Sequence, residues 1–207
     1  MIKQLPNILT LSRLILTLVF LVMILYAPRY YSEGEVAFPG FLDYAFIIFI
    51  ISGLTDILDG MAARRLHVES KFGRMMDPLV DKILVCGAFL CFAIIGQPKL
   101  FNLNDTTLSI IHWSVLAILV AREAYVTILR HSAEAKGINF AATRSGKFKM
   151  FVQAFAIGTV IVKIAHVQTA AWGYWFTIII FLLMIILTVY SGLRATQRKS
   201  WQQAKSL

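Results

Sequence analysis

Apolar and polar positions alternate along this chain on the scale of whole helices, with long apolar runs separated by short polar breaks. Six runs are legible: Asn7–Tyr26, Phe41–Arg64, Asp77–Gly96, Leu108–Arg130, Lys147–His166 and Trp172–Arg194. Each is close to the roughly 20 residues a helix needs to cross the hydrocarbon layer of a bilayer. The breaks fall at Pro6-Asn7, Ala27-Pro28, Pro39-Gly40, Gly96-Gln97-Pro98 and Gly137, residue types that start or stop helices. In lipid a backbone must satisfy its own N–H and C=O groups, so such runs form helices rather than an open sheet. The pattern predicts an all-α polytopic membrane protein with six transmembrane helices. The connections are short and no internal repeat is found, so residues 1–207 are expected to form a single transmembrane domain.

Composition narrows the picture. The chain is 58% hydrophobic and 15% charged, against about 25% charged in ordinary soluble domains. A soluble fold of this size has no interior large enough for so many apolar runs. The first run has a signal-like feature, because the apolar stretch Leu14–Tyr26 follows Lys3 and Arg13. No small-x-small cleavage pattern comes after it, only Ala27-Pro28-Arg29-Tyr30-Tyr31, so a retained span is expected.

Lysine and arginine set the orientation. With both termini cytoplasmic, the inner side takes Lys3, then Arg64, Arg65, Lys71 and Arg74, then Arg130, Lys136, Arg144, Lys147 and Lys149, and finally Arg194, Arg198, Lys199 and Lys205. The outer side takes only Arg29, Lys99 and Lys163. The net charge of +9 therefore belongs to one membrane face and reads as topology and contact with anionic lipid headgroups, with no nucleic acid involved. Cys86 and Cys91 share the third run without a partner at metal-ligand spacing, and read as small packing residues. The four histidines are scattered and suggest no site.

The chemistry is concentrated between the second and third runs. Four of the 11 acidic residues lie inside or at the rim of the apolar runs there, Asp56 and Asp59 at the end of the second and Asp77 and Asp81 at the start of the third. Asp56 and Asp59 are three apart and share a helix face, continued by Gly60 and Ala63; Asp77 and Asp81 are four apart and share another. The short segment between the runs makes the two helices antiparallel neighbours, so four carboxylates can converge near the cytoplasmic end. Each costs roughly 2.5–3.5 kcal/mol at a helix centre on insertion scales, and like charges repel in low dielectric. Lys82, Arg64 and Arg74 offset part of this; divalent cations do so better, since carboxylate oxygens suit Mg²⁺ or Mn²⁺. Two such ions can clamp a phosphoryl group. Gly60 and Ala63 leave backbone uncovered for a bulky ligand or, equally, for close helix packing.

The arrangement Asp-x2-Asp-Gly-x2-Ala-Arg-x8-Gly-x3-Asp-x3-Asp resembles the signature of the CDP-alcohol phosphatidyltransferases. Asp56, Asp59, Gly60, Ala63, Arg64, Gly73, Asp77 and Asp81 match every fixed position. The resemblance implies a six-helix enzyme with both termini cytoplasmic that uses two Mg²⁺ or Mn²⁺ ions. It implies that Asp56, Asp59 and Asp77 bind metal, that Asp81 adds to the metal site and is the general base, and that Gly60, Ala63, Arg64 and Gly73 line the CDP pocket. It also favours a homodimer.

Other segments resemble the bacterial phosphatidylglycerophosphate synthase branch, which implies the cytoplasmic membrane as location, CDP-diacylglycerol as donor and glycerol 3-phosphate as acceptor. Asn7, Thr10 and Arg13 match that branch's opening motif and form one polar stripe, read as part of the CDP pocket. A helix cap, a backbone-bonded hydroxyl and a snorkelling arginine are the structural alternatives. Arg122-Glu123 with Arg130, and Ala141–Lys149, resemble later segments of the branch. A phosphate-bearing acceptor needs cations, and Arg122, Arg144, Lys147 and Lys149 are the candidates. The alternative is that Arg122 pairs with Glu123 or a site aspartate, and that Lys147 and Lys149 only set topology. Where the branch often has Lys or Trp after its small-residue turn, this chain has Arg144. Two further readings are the same chemistry with inositol phosphate, serine or phosphatidylglycerol as acceptor, and divalent-cation transport through the intramembrane acids.

Overall fold

The structure, a computed structural model, describes residues 5–28, 40–66, 71–101, 103–135 and 144–204. Within these, the side chains of residues 5–9, 56–66, 71–75, 77, 144–145, 147 and 198–204 lie outside the description. The described residues form six helices and no strand: α1 Leu5–Tyr26, α2 Phe41–Leu66, α3 Lys71–Ile94, α4 Asp105–Glu134, α5 Arg144–His166 and α6 Ala171–Ala204.

Each apolar run has its own helix, and the helices mostly outlast the runs, except that α3 stops at Ile94, two residues short of the end of its run. Helix α3 starts six residues before Asp77 and carries Pro78 inside it. Pro78 has no N–H, so the carbonyl four residues earlier loses its helical donor there. Helix α6 continues past Arg194 to Ala204 through a stretch in which the good helix formers Ala, Gln, Arg and Lys outnumber Thr196, Ser200 and Trp201. Apolar periodicity finds the part of a helix that contacts core or lipid, whereas hydrogen bonding carries the helix on into polar sequence. The breaks at Gly40 and Gly96 hold, whereas Gly137 lies outside the described residues. Gly40 (φ +88°) precedes α2, and Gly96 (φ +66°) ends α3. There the Gly96 N–H donates to the Ala93 carbonyl and the Gln97 N–H to the Phe92 carbonyl, the paired bonds of a Schellman stop.

The helices pack as a closed ring in the order α1, α3, α4, α6, α5, α2, with α3 also touching α5 across the middle. The shared core is aliphatic and aromatic. Phe20 meets Phe49 at 5.3 Å between ring centroids, and Phe89 meets Phe181 edge-on at 5.9 Å. Outside that core the usual polarity is inverted. Large apolar side chains face outward, among them Ile128 (67% exposed) and Phe151 (66%). Thr10, Arg13, Thr17, Ser52, Lys149, Gln153, Thr188 and Ser191 are buried. Water penalises that distribution and a bilayer favours it. Among the described residues three stretches are long and apolar enough to cross a membrane: Asp105–Glu134, Phe148–His166 and Ala171–Gln197. Thr10–Tyr26 and Phe41–Thr55 are shorter apolar helices.

Side-chain contacts define the two ends of the ring. At one end Asp43, in the first turn of α2, meets His166 in the last turn of α5 at 2.6 Å. At the same end Phe101, just before α4, packs on Tyr174 and Trp175 in the first turns of α6. The opposite end gathers the starts of α1, α3 and α5 and the later turns of α2, α4 and α6.

Candidate functional site

All the residues singled out by their spacing belong to that opposite end. Asp56, Asp59, Gly60, Ala63 and Arg64 lie in the last three turns of α2; Gly73, Asp77 and Asp81 lie in the first three of α3. Both helices pack against α1. The side chains of these residues fall outside the described set, Asp81 excepted. Asn7 is in the first turn of α1, its side chain likewise outside.

Asp81 is ion-paired through Oδ1 with Nη2 of Arg13, which reaches it from α1. Arg13 is only 2% exposed, so it is turned inward and does not snorkel to the interface. Thr10, one turn before it, is buried on the same face. The stripe runs one turn deeper than Asn7, Thr10 and Arg13 alone indicate. Thr17 is fully buried, with its hydroxyl 3.4 Å from that of Ser52, which lies one turn before Asp56 on α2. The four-residue step from Arg13 to Thr17 is the signal in the sequence. A threonine that can bond its own backbone hides such a role.

The far side of α3 carries a second polar group. Lys82, next to Asp81, donates to Oγ1 of Thr127 on α4 at 2.7 Å, and that hydroxyl donates to the Glu123 carbonyl at 2.6 Å. Successive helix residues point about 100° apart, so Asp81 serves the α1 side and Lys82 the α4 side. The Glu123 carboxylate is the hub of this group. Its Oε1 accepts from Arg122 Nη1 at 2.9 Å and is also ion-paired with the ammonium of Lys149 on α5. Arg122 Nη2 donates to Ser191 Oγ on α6 at 2.9 Å, and Ser191 donates to the Thr188 carbonyl. Three helices are thus tied by one carboxylate, two cations and a hydroxyl.

The sequence points to Arg122 and Lys149, with an Arg122–Glu123 pair as the alternative; the structure contains that pair and adds Lys149 to it. Arg144 and Lys147 begin α5, two turns or less before Lys149, with side chains outside the described residues. Nothing in the sequence pattern marks Thr127 or Ser191.

Charge in this group is unequal. Among the described side chains two cations share one carboxylate in a setting where Lys149 is 3% exposed, so these three groups carry a net positive charge that suits an anion. Nε of Arg122, Nε2 of Gln153 and Oγ1 of Thr188 are buried without a hydrogen-bond partner. Gln153 lies one turn past Lys149, and Thr188 three residues before Ser191. Buried polar atoms of this kind normally have partners, which water or a ligand can supply.

Among the described residues no group of three or more His, Cys, Asp or Glu side chains could hold a metal ion. The one described member of the acidic set, Asp81, lies at the right end of α3, on the side facing α1. The two helices that carry the acids are, among the described residues, not the direct neighbours expected; each packs against α1, which lies between them in the ring, and an all-carboxylate donor set has the chemistry of an Mg²⁺ or Mn²⁺ site.

Comparison with known proteins supplies an independent line. A family model described as CDP-alcohol phosphatidyltransferase matches residues 3–190. A Bacillus subtilis (strain 168) protein named CDP-diacylglycerol–glycerol-3-phosphate 3-phosphatidyltransferase is 30% identical over 206 residues, covering 98% of each chain. A Mycobacterium tuberculosis (strain H37Rv) protein named probable phosphatidylglycerophosphate synthase is 31% identical over 191 residues, 92% of this chain and 79% of its own. A Cereibacter sphaeroides protein named like the B. subtilis one is 33% identical over 156 residues, 74% of this chain and 61% of its own.

Proposed function

Because the chain belongs to the CDP-alcohol phosphatidyltransferase family, we propose that it transfers the phosphatidyl group of CDP-diacylglycerol to glycerol 3-phosphate, releasing phosphatidylglycerophosphate and CMP. The observation that carries this reading is one end of the helix ring. It brings the helices bearing the complete acidic motif beside a buried, net-positive group on α4, α5 and α6. A pyrophosphate donor suits the first and a phosphate-bearing acceptor the second. The relatives whose names carry this activity support the choice of acceptor.

In this reading Asp56, Asp59, Asp77 and Asp81 hold two Mg²⁺ or Mn²⁺ ions, which when bound neutralise the pyrophosphate. Asp81 takes the proton from the acceptor hydroxyl as that oxygen bonds to the phosphorus attached to diacylglycerol. The bond from that phosphorus to the bridging oxygen breaks, and CMP leaves with the electron pair. Arg13 fixes the Asp81 carboxylate and, with Asn7, Thr10, Gly60, Ala63, Arg64 and Gly73, lines the CDP pocket. Arg122, Arg144, Lys147 and Lys149 receive the acceptor's phosphate.

The single domain crosses the bacterial cytoplasmic membrane six times, both termini inside, and works at the cytoplasmic face; a homodimer is the expected assembly. The placement of basic residues supports this orientation, and membership of the family sets the ion-transport reading aside.

The test is CMP release by purified protein given CDP-diacylglycerol and a panel of acceptors, with the lipid product separated by thin-layer chromatography. Glycerol 3-phosphate should be used well ahead of inositol phosphate, serine and phosphatidylglycerol. Chelation should abolish release, and Mg²⁺ or Mn²⁺ should restore it. Release with serine at an equal rate would overturn the acceptor assignment and leave the family chemistry intact.

A further inference from the structure

Resting on the acceptor site proposed above, we propose that Glu123 is a positioning residue that sets the phosphate selectivity of that site by fixing Arg122 and Lys149 in one geometry. Three observations carry the inference.

A single oxygen, Oε1, takes both cations, so their relative placement is fixed by one atom. The two come from different helices, α4 and α5, and Ser191 anchors the free edge of the Arg122 guanidinium from α6. Lysine is a flexible side chain whose ordering is entropically costly, and a buried partner removes that cost before the ligand arrives.

The arrangement also leaves donors unspent. Arg122 uses Nη1 and Nη2 on Glu123 and Ser191, and its buried Nε has no partner. Lys149 has three ammonium hydrogens, of which Glu123 needs one. An anion can therefore be gripped without displacing the carboxylate.

Finally, the hub is tied to the reacting end. The Glu123 carbonyl accepts from Thr127, which accepts from Lys82, the neighbour of Asp81. That link uses the backbone carbonyl, so a change of the Glu123 side chain leaves it in place and disturbs the two cations alone.

A carboxylate beside a phosphate site can instead act as a competitor that weakens anion binding, or as a structural staple with no bearing on the acceptor. The three roles separate in steady-state kinetics with both substrates varied on the full-length protein in defined mixed micelles. For a positioning role, Glu123→Gln raises KM for glycerol 3-phosphate at least tenfold. It leaves kcat and KM for CDP-diacylglycerol within about twofold, because a neutral amide no longer holds the two cations together. Glu123→Asp, which keeps the charge and is one methylene shorter, gives an intermediate KM and carries the same test should the Gln variant fail to accumulate in the membrane. A lower KM for glycerol 3-phosphate in Glu123→Gln overturns the proposal in favour of competition, and an unchanged KM overturns it in favour of a role with no bearing on the acceptor. Parallel damage to both substrates together with a lower thermal midpoint overturns it in favour of a staple. Lys149→Ala and Arg122→Ala serve as reference variants. If they raise the acceptor KM and Glu123→Gln does not, only the Glu123 inference falls. If none of the three raises it, the acceptor site itself is misplaced and both readings fall together.

Discussion

Helices α1–α3 and α4–α6 solve opposite electrostatic problems at the same end of the molecule. The first half concentrates acids: four aspartates by sequence on α2 and α3, with Arg13 engaging Asp81. The second half concentrates bases: Arg122 and Lys149 among its described side chains, with Glu123 between them. Removing acids from water calls for cations from outside, whereas removing bases calls for an anion. A reaction that joins two phosphate compounds can satisfy both demands, one through metal ions and the other through permanent protein charge. Helix α3 is the wall between them, with Asp81 facing one side and Lys82 the other.

The hardest test of that division is on the acidic side. Asp56→Asn, Asp59→Asn and Asp77→Asn should each lower CMP release by more than about 100-fold while the protein still inserts, since in the proposed site each removes a charge that would hold metal. Normal turnover by a well-folded variant would remove that residue from the ligand set. Asp81→Asn should lower kcat by about 100- to 10,000-fold, the usual worth of a general base, yet keep donor binding better than Asp56→Asn does. Equal loss of donor binding in the two variants would make Asp81 chiefly a metal ligand.

On the basic side the effects should be smaller and confined to the acceptor. Arg144→Ala and Arg122→Ala should each raise KM for glycerol 3-phosphate about tenfold, equivalent to about 1.4 kcal/mol, with KM for CDP-diacylglycerol nearly unchanged. If the donor KM rises instead, the division between the halves is drawn in the wrong place. The smallest effect should come from Ser191→Ala, which takes one neutral partner from Arg122 at 2.9 Å. A hydrogen bond worth about 0.5–1.5 kcal/mol predicts a two- to tenfold rise in acceptor KM, and no rise would mean that Glu123 alone orients the guanidinium.

The two halves also differ in how far their sequence can be read. The acidic half declares itself, because carboxylates are costly inside apolar helices and their three- and four-residue spacing fixes which of them share a face. The basic half is legible in its cations, while Glu123 stands out only as an alternative partner for Arg122. Ser52, Thr127 and Ser191 give no signal, since hydroxyls on apolar helices can bond their own backbone. Thr127 does so toward Glu123 while also accepting from Lys82, and only the tertiary structure distinguishes the two roles. The six helices are legible as apolar runs; their true ends are not, as Pro78 within α3 and the extension of α6 to Ala204 illustrate.

The outward-facing apolar surface typified by Ile128 and Phe151 has a kinetic consequence. A protein wrapped in this way shares a two-dimensional phase with any lipid donor, while a glycerol phosphate arrives from bulk water. The rate should then follow the donor's mole fraction in that phase and not its amount per volume of solution. Adding inert detergent at constant total donor should slow the enzyme by surface dilution alone, whereas the same dilution leaves the water-soluble substrate's chemical potential untouched.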